Sequence, residues 1–426
     1  MTRSELSRRH VLGLFGGAGL SFLLPGRWAH AAAPGALAQG PFWLFVHAGG
    51  GWDPTMLCDP KGRASEASPD PVNHYLSSQI GQAGALRFAP VGGNQAFFEK
   101  HRSRTLVING LDTETNSHDV GTRNTWSGKL AEGYPALAAL VAQSGGIKSP
   151  LAFVSFGGYD ETQGVVAPSR LGNTDVFARI AYPLRMEDKA DSPTFHTTAT
   201  WNRILAAQER RRQTLLAQDL VPKARASVER LFQARFGNDE ITRLVEALPK
   251  EKANDGLPRQ AQLAMAAFKA GVAKTASLSI GGFDTHGDHD NRQGAALGAL
   301  LAGVDFAWDE AERQGVAGEL VVVVGSDFGR TPRYNDGQGK DHWSITSMLL
   351  MGKGIPGDRV IGATNERQEA MNVDPQTLAV VDSGGVRLRP AHVHRALRKL
   401  AGLETDPVAS QRFPITSSND LQTALF

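Results

Sequence analysis

The sequence predicts an α/β fold, a mostly parallel sheet with helices on both faces and a helical insertion. Three observations carry this. Six short runs (Phe42–Val46, Thr105–Ile108, Leu151–Phe156, Ala276–Ile280, Leu320–Val324 and Ser347–Met351) are mostly apolar without alternation and are bounded by Gly, Asn or Asp. Strands buried on both faces read this way. Helix-periodic stretches lie between the runs. Polar loops mixing Asp and His follow them, where open α/β sheets bind their ligands.

The chain begins with Ser7-Arg8-Arg9-His10, an apolar run from Val11 to Leu24, and the small-residue stretch Ala29-His30-Ala31-Ala32-Ala33. A basic start, an apolar centre and an A-x-A-like end make a secretory signal, and the paired arginines make it a twin-arginine one. The run falls short of the ~20 residues a bilayer span requires. Residues 1–33 are therefore expected to be a removable signal, with the twin-arginine translocase as partner during export. Residues 34–426 are expected to form a periplasmic or secreted domain with no membrane span.

Lys and Arg number 45 against 43 Asp and Glu, and Arg3, Arg8, Arg9 and Arg27 lie in the signal. The near-neutral remainder argues against general electrostatic binding to nucleic acid or anionic membrane. The single cysteine, Cys58, rules out an intramolecular disulfide and reads as a buried small hydrophobe.

Across Asn291–Arg313, Leu297, Leu300, Leu301, Val304, Trp308 and Ala311 recur at helical spacing and predict a core helix. A second helical region runs from Trp201 to Phe268, broken at Pro222, Gly237 and Pro249. With the loop-rich stretch before it, this region is read as an insertion over about 160–270, in which Glu209–Arg212 is a solvated face. His392 and His394 read as partly exposed helix residues.

The chemistry-bearing residues follow the predicted strands. They are His47 and Asp53 after the first, Asp112–Asp119 after the second, Asp284–Asp290 after Ile280, and Asp327–Arg330 after Val324, with Lys340-Asp341-His342 beyond. Each alone is weak, since a loop Asp is usually a turn or cap residue. As a set, Asp with His suits borderline or hard divalent metals, and two such ions can clamp the oxygens of a phosphoryl group. Ser117 reads equally as a helix N-cap and as a hydroxyl nucleophile beside unpaired N–H donors.

Gly281-Gly282-Phe283-Asp284-Thr285-His286, Ser326-Asp327-Phe328-Gly329-Arg330-Thr331-Pro332 and Asp341-His342 resemble the family catalogued as domain of unknown function 1501, as do Gly50–Asp53 and Ser117-His118. That family is distantly similar to the alkaline phosphatase and sulfatase superfamily of two-metal hydrolases, which implies an alkaline-phosphatase-like fold. The resemblance implies Asp53, Asp284, His286, Asp327 and His342 as ligands of a divalent metal (zinc, manganese or calcium). It implies Ser117 as nucleophile, with Thr115 and Thr113 as substitutes, and Arg330 as a bidentate binder of an anionic oxygen.

Two departures stand out. Phe328 replaces the superfamily's His after the late-strand Asp, so one site lacks a ligand unless His118 or His289 supplies it. Asp284-x-His286 replaces a longer spacing. A formylglycine-type sulfatase centre is rejected, because Gly62 stands where Cys58-Asp59-Pro60 would require Arg. The expectation is an exported metal-dependent hydrolase of a phosphate or sulfate ester, its substrate a small anionic ester or glycan. The alternatives are a non-catalytic binding or assembly protein on a degenerate fold, and a chain keeping one structural ion.

Overall fold

The apolar runs form strands because β-branched and aromatic side chains suit a pleated surface covered on both sides. In the computed structural model, residues 37–426 are described apart from 146–148, 150, 173–176, 178–180, 183, 188–191, 222–223, 226–227, 229–237, 416–420 and 422–424. The expected signal, residues 1–33, lies outside the described residues. The main sheet has eight strands: β1 (Phe42–Ala48), β2 (Thr105–Asp112), β3 (Phe153–Ser155), β4 (Pro168–Ser169), β5 (Thr275–Ile280), β6 (Leu320–Ser326), β7 (Ile345–Gly352) and β8 (Arg359–Ile361). Their spatial order is β8, β2, β7, β6, β1, β5, β3, β4.

Strand β1 pairs in parallel with β5 and β6, β3 with β5 and β4, and β8 with β2. Strand β7 runs antiparallel to both β2 and β6. The sheet is thus mostly parallel, as predicted. The reversal of β7 has no sequence signature, because an apolar run reads the same in either direction.

Five helices matter for the site and the core: α1 (His118–Ser127), α2 (Leu137–Ser144), α3 (Leu257–Lys269), α4 (His289–Gln314) and α5 (Pro390–Leu400). Side-chain alternation along each strand divides the interior in two. Leu44, Val46, Val322 and Val324 pack with α3 and α4 residues on one face. Trp43, Phe45, Val321 and Val323 pack with α2 and α5 residues on the other. The six residues predicted as the core stripe of α4 are all buried.

Two expectations change. Helix α3, read as part of the insertion, is a core helix, with every residue from Ala261 to Phe268 buried. Its small Ala side chains let it lie close against β5 and α4, which a search for large apolar periodicity undervalues. The helix Thr198–Leu216, by contrast, has no buried residue. His392 and His394 are also buried rather than partly exposed, because α5 presses that face onto α1, where His394 Nε2 meets Thr125 O at 2.8 Å. Among the described residues no helix is long and apolar enough to cross a membrane.

The strand directions define one functional edge. Strands β1, β2, β5 and β6 end there, and β7, being reversed, begins there, with Ile345 opposite Asp112. Four loops that leave strands and one that enters a strand therefore converge.

Candidate functional site

Asp284 and His286 lie in the loop after β5, His118 opens α1 after β2, and His342 precedes β7. A short antiparallel ladder pairs Arg330 with His342 and Gly329 with Trp343, tying the post-β6 loop to this last segment. Asp284 Oδ1 lies 3.2 Å from His342 Nε2 and 3.0 Å from His286 Nε2. The two imidazole Nε2 atoms are themselves 3.0 Å apart. His118 Nε2 stands 3.7 Å from Asp284 Oδ2, and His118, Asp284 and His342 offer ligand atoms all within 4.8 Å of one another.

The opposite side of each ring explains what these distances mean. His118 Nδ1 faces Asp327 Oδ2 at 2.6 Å, His286 Nδ1 faces Asp341 Oδ1 at 2.9 Å, and His342 Nδ1 faces the Asn116 carbonyl at 2.8 Å. All three partners only accept, so the rings are assigned their proton on Nδ1 and leave Nε2 bare. Bare nitrogens and a carboxylate oxygen within about 3 Å repel unless a cation lies between them. Donors around a tetrahedral zinc-class ion, each at ~2.0–2.1 Å, are separated by about 3.3 Å. The donor set fits such an ion, and the oxygens behind the imidazoles are the outer partners that orient metal-binding histidines.

Asp327 itself is 3 % exposed and works from behind. Its Oδ2 takes His118 and the Gly50 N–H at 3.1 Å, and its Oδ1 accepts no hydrogen bond. Oδ1 faces His47 Nε2 at 3.3 Å. His47 Nδ1 accepts from Trp126 Nε1 at 2.9 Å, so its proton sits on Nε2, towards Asp327. Burial lowers the His47 pKa against the pull of Asp327, which keeps the ring neutral. Helix α1 can come this close because position 121 is glycine, where a Cβ would sit 2.4 Å from the Asp327 carbonyl.

Asp284 is half-exposed. Partial burial raises its pKa, but the Arg330 guanidinium, which donates to Oδ1 and carries a positive charge, acts against this and helps hold it below the usual carboxylate range. Arg330 is fully buried and was expected to hold a substrate oxygen. It instead donates from Nε to Gly51 O, from Nη1 to Lys340 O, and from Nη2 to Gly50 O and Asp284 Oδ1. All three of its nitrogens are thus engaged with the loops, and it positions Asp284.

Asp53 stands apart from the cluster. Both oxygens are committed: Oδ1 to the Thr55 N–H and hydroxyl, Oδ2 to Lys340 Nζ at 2.6 Å and His289 Nε2 at 3.0 Å. Burial opposes its ionisation, yet Lys340 and His289 hold its pKa well below the usual carboxylate range. Among the nucleophile candidates, Thr113 is buried with its hydroxyl bonded to Thr115 O and Ser344 O, and Thr115 Oγ1 accepts from Ser117 N. Ser117 is exposed at the N-cap of α1, makes no side-chain cap bond, and lies between Asn116 and His118, both of which touch the cluster.

The structure therefore brings together Asp284, His286 and His342 from the expected ligands, adds His118, sets Asp327 behind it, and leaves Asp53 with Lys340. His118 was visible only as a fallback. Lys340 was noted beside Asp341-His342 but was given no role, since lysine is normally exposed. Phe328, in place of a ligand, is buried with its ring 4.9 Å from His118 and 4.5 Å from His342, forming the wall of the cluster.

The chain is similar to several solved structures at low identity. A sulfatase from Pseudoalteromonas sp. is 9% identical over 86% of this chain and 68% of its own, with a TM-score of 0.32. A putative sulfatase from Bacteroides thetaiotaomicron is 10% identical over 85% and 71%, at 0.30. The alkaline phosphatase of the Antarctic bacterium TAB5 is 8% identical over 75% and 94%, at 0.31. No match is found among curated proteins. The family described as "Protein of unknown function (DUF1501)" matches residues 43–381, and with that span covered, the chain belongs to the DUF1501 family.

Proposed function

We propose that the protein is an exported, metal-dependent hydrolase-like protein that takes a phosphate or sulfate ester at the edge where Asp284, His118, His286 and His342 meet. The observation that carries this is the convergence of bare imidazole nitrogens on one carboxylate, each ring braced from behind by an oxygen. A set richer in imidazole than in carboxylate suits zinc or a neighbouring transition ion better than calcium or magnesium. A bound ion supplies Lewis-acid polarisation of an ester oxygen and eases deprotonation of a nearby hydroxyl or water.

The chain's own residues do the rest. Ser117 presents a free hydroxyl at the start of α1, where unpaired backbone N–H groups and the helix dipole favour an anionic oxygen. Asp327 and the Asn116 carbonyl fix His118 and His342. Arg330 holds Asp284 ionised. Phe328 keeps water away from one side of the cluster. The half-exposed Asp284 and exposed Ser117 leave the site open to a small ester or a glycan-borne one.

The test combines elemental analysis with hydrolysis assays on aryl phosphate and aryl sulfate esters. About one equivalent of metal, turnover that depends on it, and loss of both in His342→Ala are expected. Ser117→Ala is expected to keep the metal and lose turnover. A metal-loaded, folded protein inert to every ester, with Ser117→Ala indistinguishable from wild type, refutes the hydrolase reading. One observation favours the second reading, a binding or assembly protein: Arg330, the expected anion-binding cation, is buried under the loops. In that case metal is retained, no ester turns over, and His342→Ala abolishes ligand binding instead.

A further inference from the structure

We infer that the protein binds a single divalent ion, because the ammonium of Lys340 is built into the cation position on Asp53. This rests on the proposed metal reading and narrows it. Two-metal phosphoryl chemistry needs ions ~3.5–4 Å apart, each with free ligands. The resemblance offers Asp53, the first-strand carboxylate, as the ligand for a second ion, and among the described residues one cluster, His118, Asp284 and His342, groups metal-competent atoms.

Everything around Asp53 is spoken for. Asp53, His289 and Lys340 are all 0% exposed. Lys340 Nζ donates to Asp53 Oδ2 and, at 2.9 Å, to Asn73 Oδ1, and it lies 5.1 Å from the Tyr334 ring centroid. His289 lends no lone pair. Its Nε2 faces Asp53, and its Nδ1 meets the Thr285 hydroxyl at 2.7 Å, so one nitrogen donates to the carboxylate and the other accepts from the hydroxyl. Asn73 is likewise used, its Nδ2 bonding Thr55 Oγ1 and the Lys61 carbonyl.

The lysine backbone is also pinned, its N–H to Thr285 O at 3.1 Å and its carbonyl to Arg330 Nη1 at 3.0 Å. A charge of +1 on an ammonium thus does the neutralising that a metal ion would do, and it cannot leave by rotating into solvent. Three consecutive residues divide the work. Lys340 supplies the resident cation, Asp341 braces His286, and His342 faces Asp284 in the proposed metal cluster.

The experiment loads purified protein with excess zinc, desalts it, and counts zinc per chain, alongside calorimetric titration. The double variant Asp53→Asn/Lys340→Met removes both charges of the buried pair at similar volume, which preserves the fold better than either single change. Circular dichroism checks that it is folded. One equivalent in wild type and one in the double variant are expected. Two equivalents in wild type, or loss of the ion in the folded double variant, overturns the inference while sparing the metal reading. No zinc in wild type overturns the metal reading, and the inference falls with it.

Discussion

Replacing Lys340 by Met tests how the interior is held, because it removes one partner of a fully buried pair while roughly preserving volume. Asp53 Oδ2 keeps only His289, and Asn73 Oδ1 loses its donor. Breaking a buried ion pair from one side costs about 3–5 kcal/mol, since the remaining charge stays desolvated. The neighbouring imidazole then adds a pH dependence. Burial lowers the His289 pKa, and Lys340 lowers it further, against the pull of Asp53. Without the lysine, His289 rises and can carry the missing charge. If His289 binds its proton more tightly in the variant than in wild type, part of the loss is recovered at low pH, and that recovery disappears as pH rises through the variant's folded value. Urea unfolding of Lys340→Met should therefore show the full loss near pH 8 and a clearly smaller one near pH 5.5. Adding Asp53→Asn should restore most of the stability at pH 8. A loss below about 1 kcal/mol at pH 8 refutes the assignment of a buried ammonium–carboxylate pair, and an equal loss at both pH values refutes compensation by His289.

Other outcomes follow from neighbouring features. Asp327→Ala removes the brace on His118 Nδ1, and titration calorimetry should show metal affinity falling by roughly 10- to 100-fold, as for other outer partners of metal-binding histidines; unchanged affinity places His118 outside the site. His394 is held neutral, its pKa lowered to about 3 by burial. Its contribution is complete above ~6.5 and declines as pH falls, by about 2 kcal/mol at pH 5. Stability of His394→Met measured by denaturant should be flatter across that window, and an unchanged slope assigns the acid sensitivity elsewhere. Burial pushes the Cys58 thiol up to about 12, so a thiol reagent at pH 8 should label it only after unfolding, and rapid labelling of native protein contradicts its buried setting.

The strands were legible because six apolar runs stand out between Gly, Asn and Asp, and the same argument located the loops that carry Asp284, His286, Asp327 and His342. What the sequence could not show was direction and pairing. Strand β7 delivers His342 from its start rather than its end, and only the antiparallel register makes that visible. Asp53 and Asp284 look alike in sequence, each following a strand, yet one meets a buried lysine 287 residues away and the other meets imidazoles. The engagement of Arg330 with the loops was hidden for a related reason. Its guanidinium is long enough to reach the Gly50 and Gly51 carbonyls, and nothing in Ser326–Pro332 reports that those carbonyls lie beneath it.

The strand order also governs how the chain reaches its native state. Strands β1 and β2, the first two made, are separated in the sheet by β6 and β7, which lie more than two hundred residues later. An early fragment has two strands that cannot pair with each other, and its central strand lacks β5 and β6 on both sides. Such topology closes long loops before its contacts reward them, which makes folding slow. The cluster joins Asn116 and His118 to His342 across the same gap, so on the proposed metal reading the site is complete only late in the chain, and fragments ending before His342 should bind no ion.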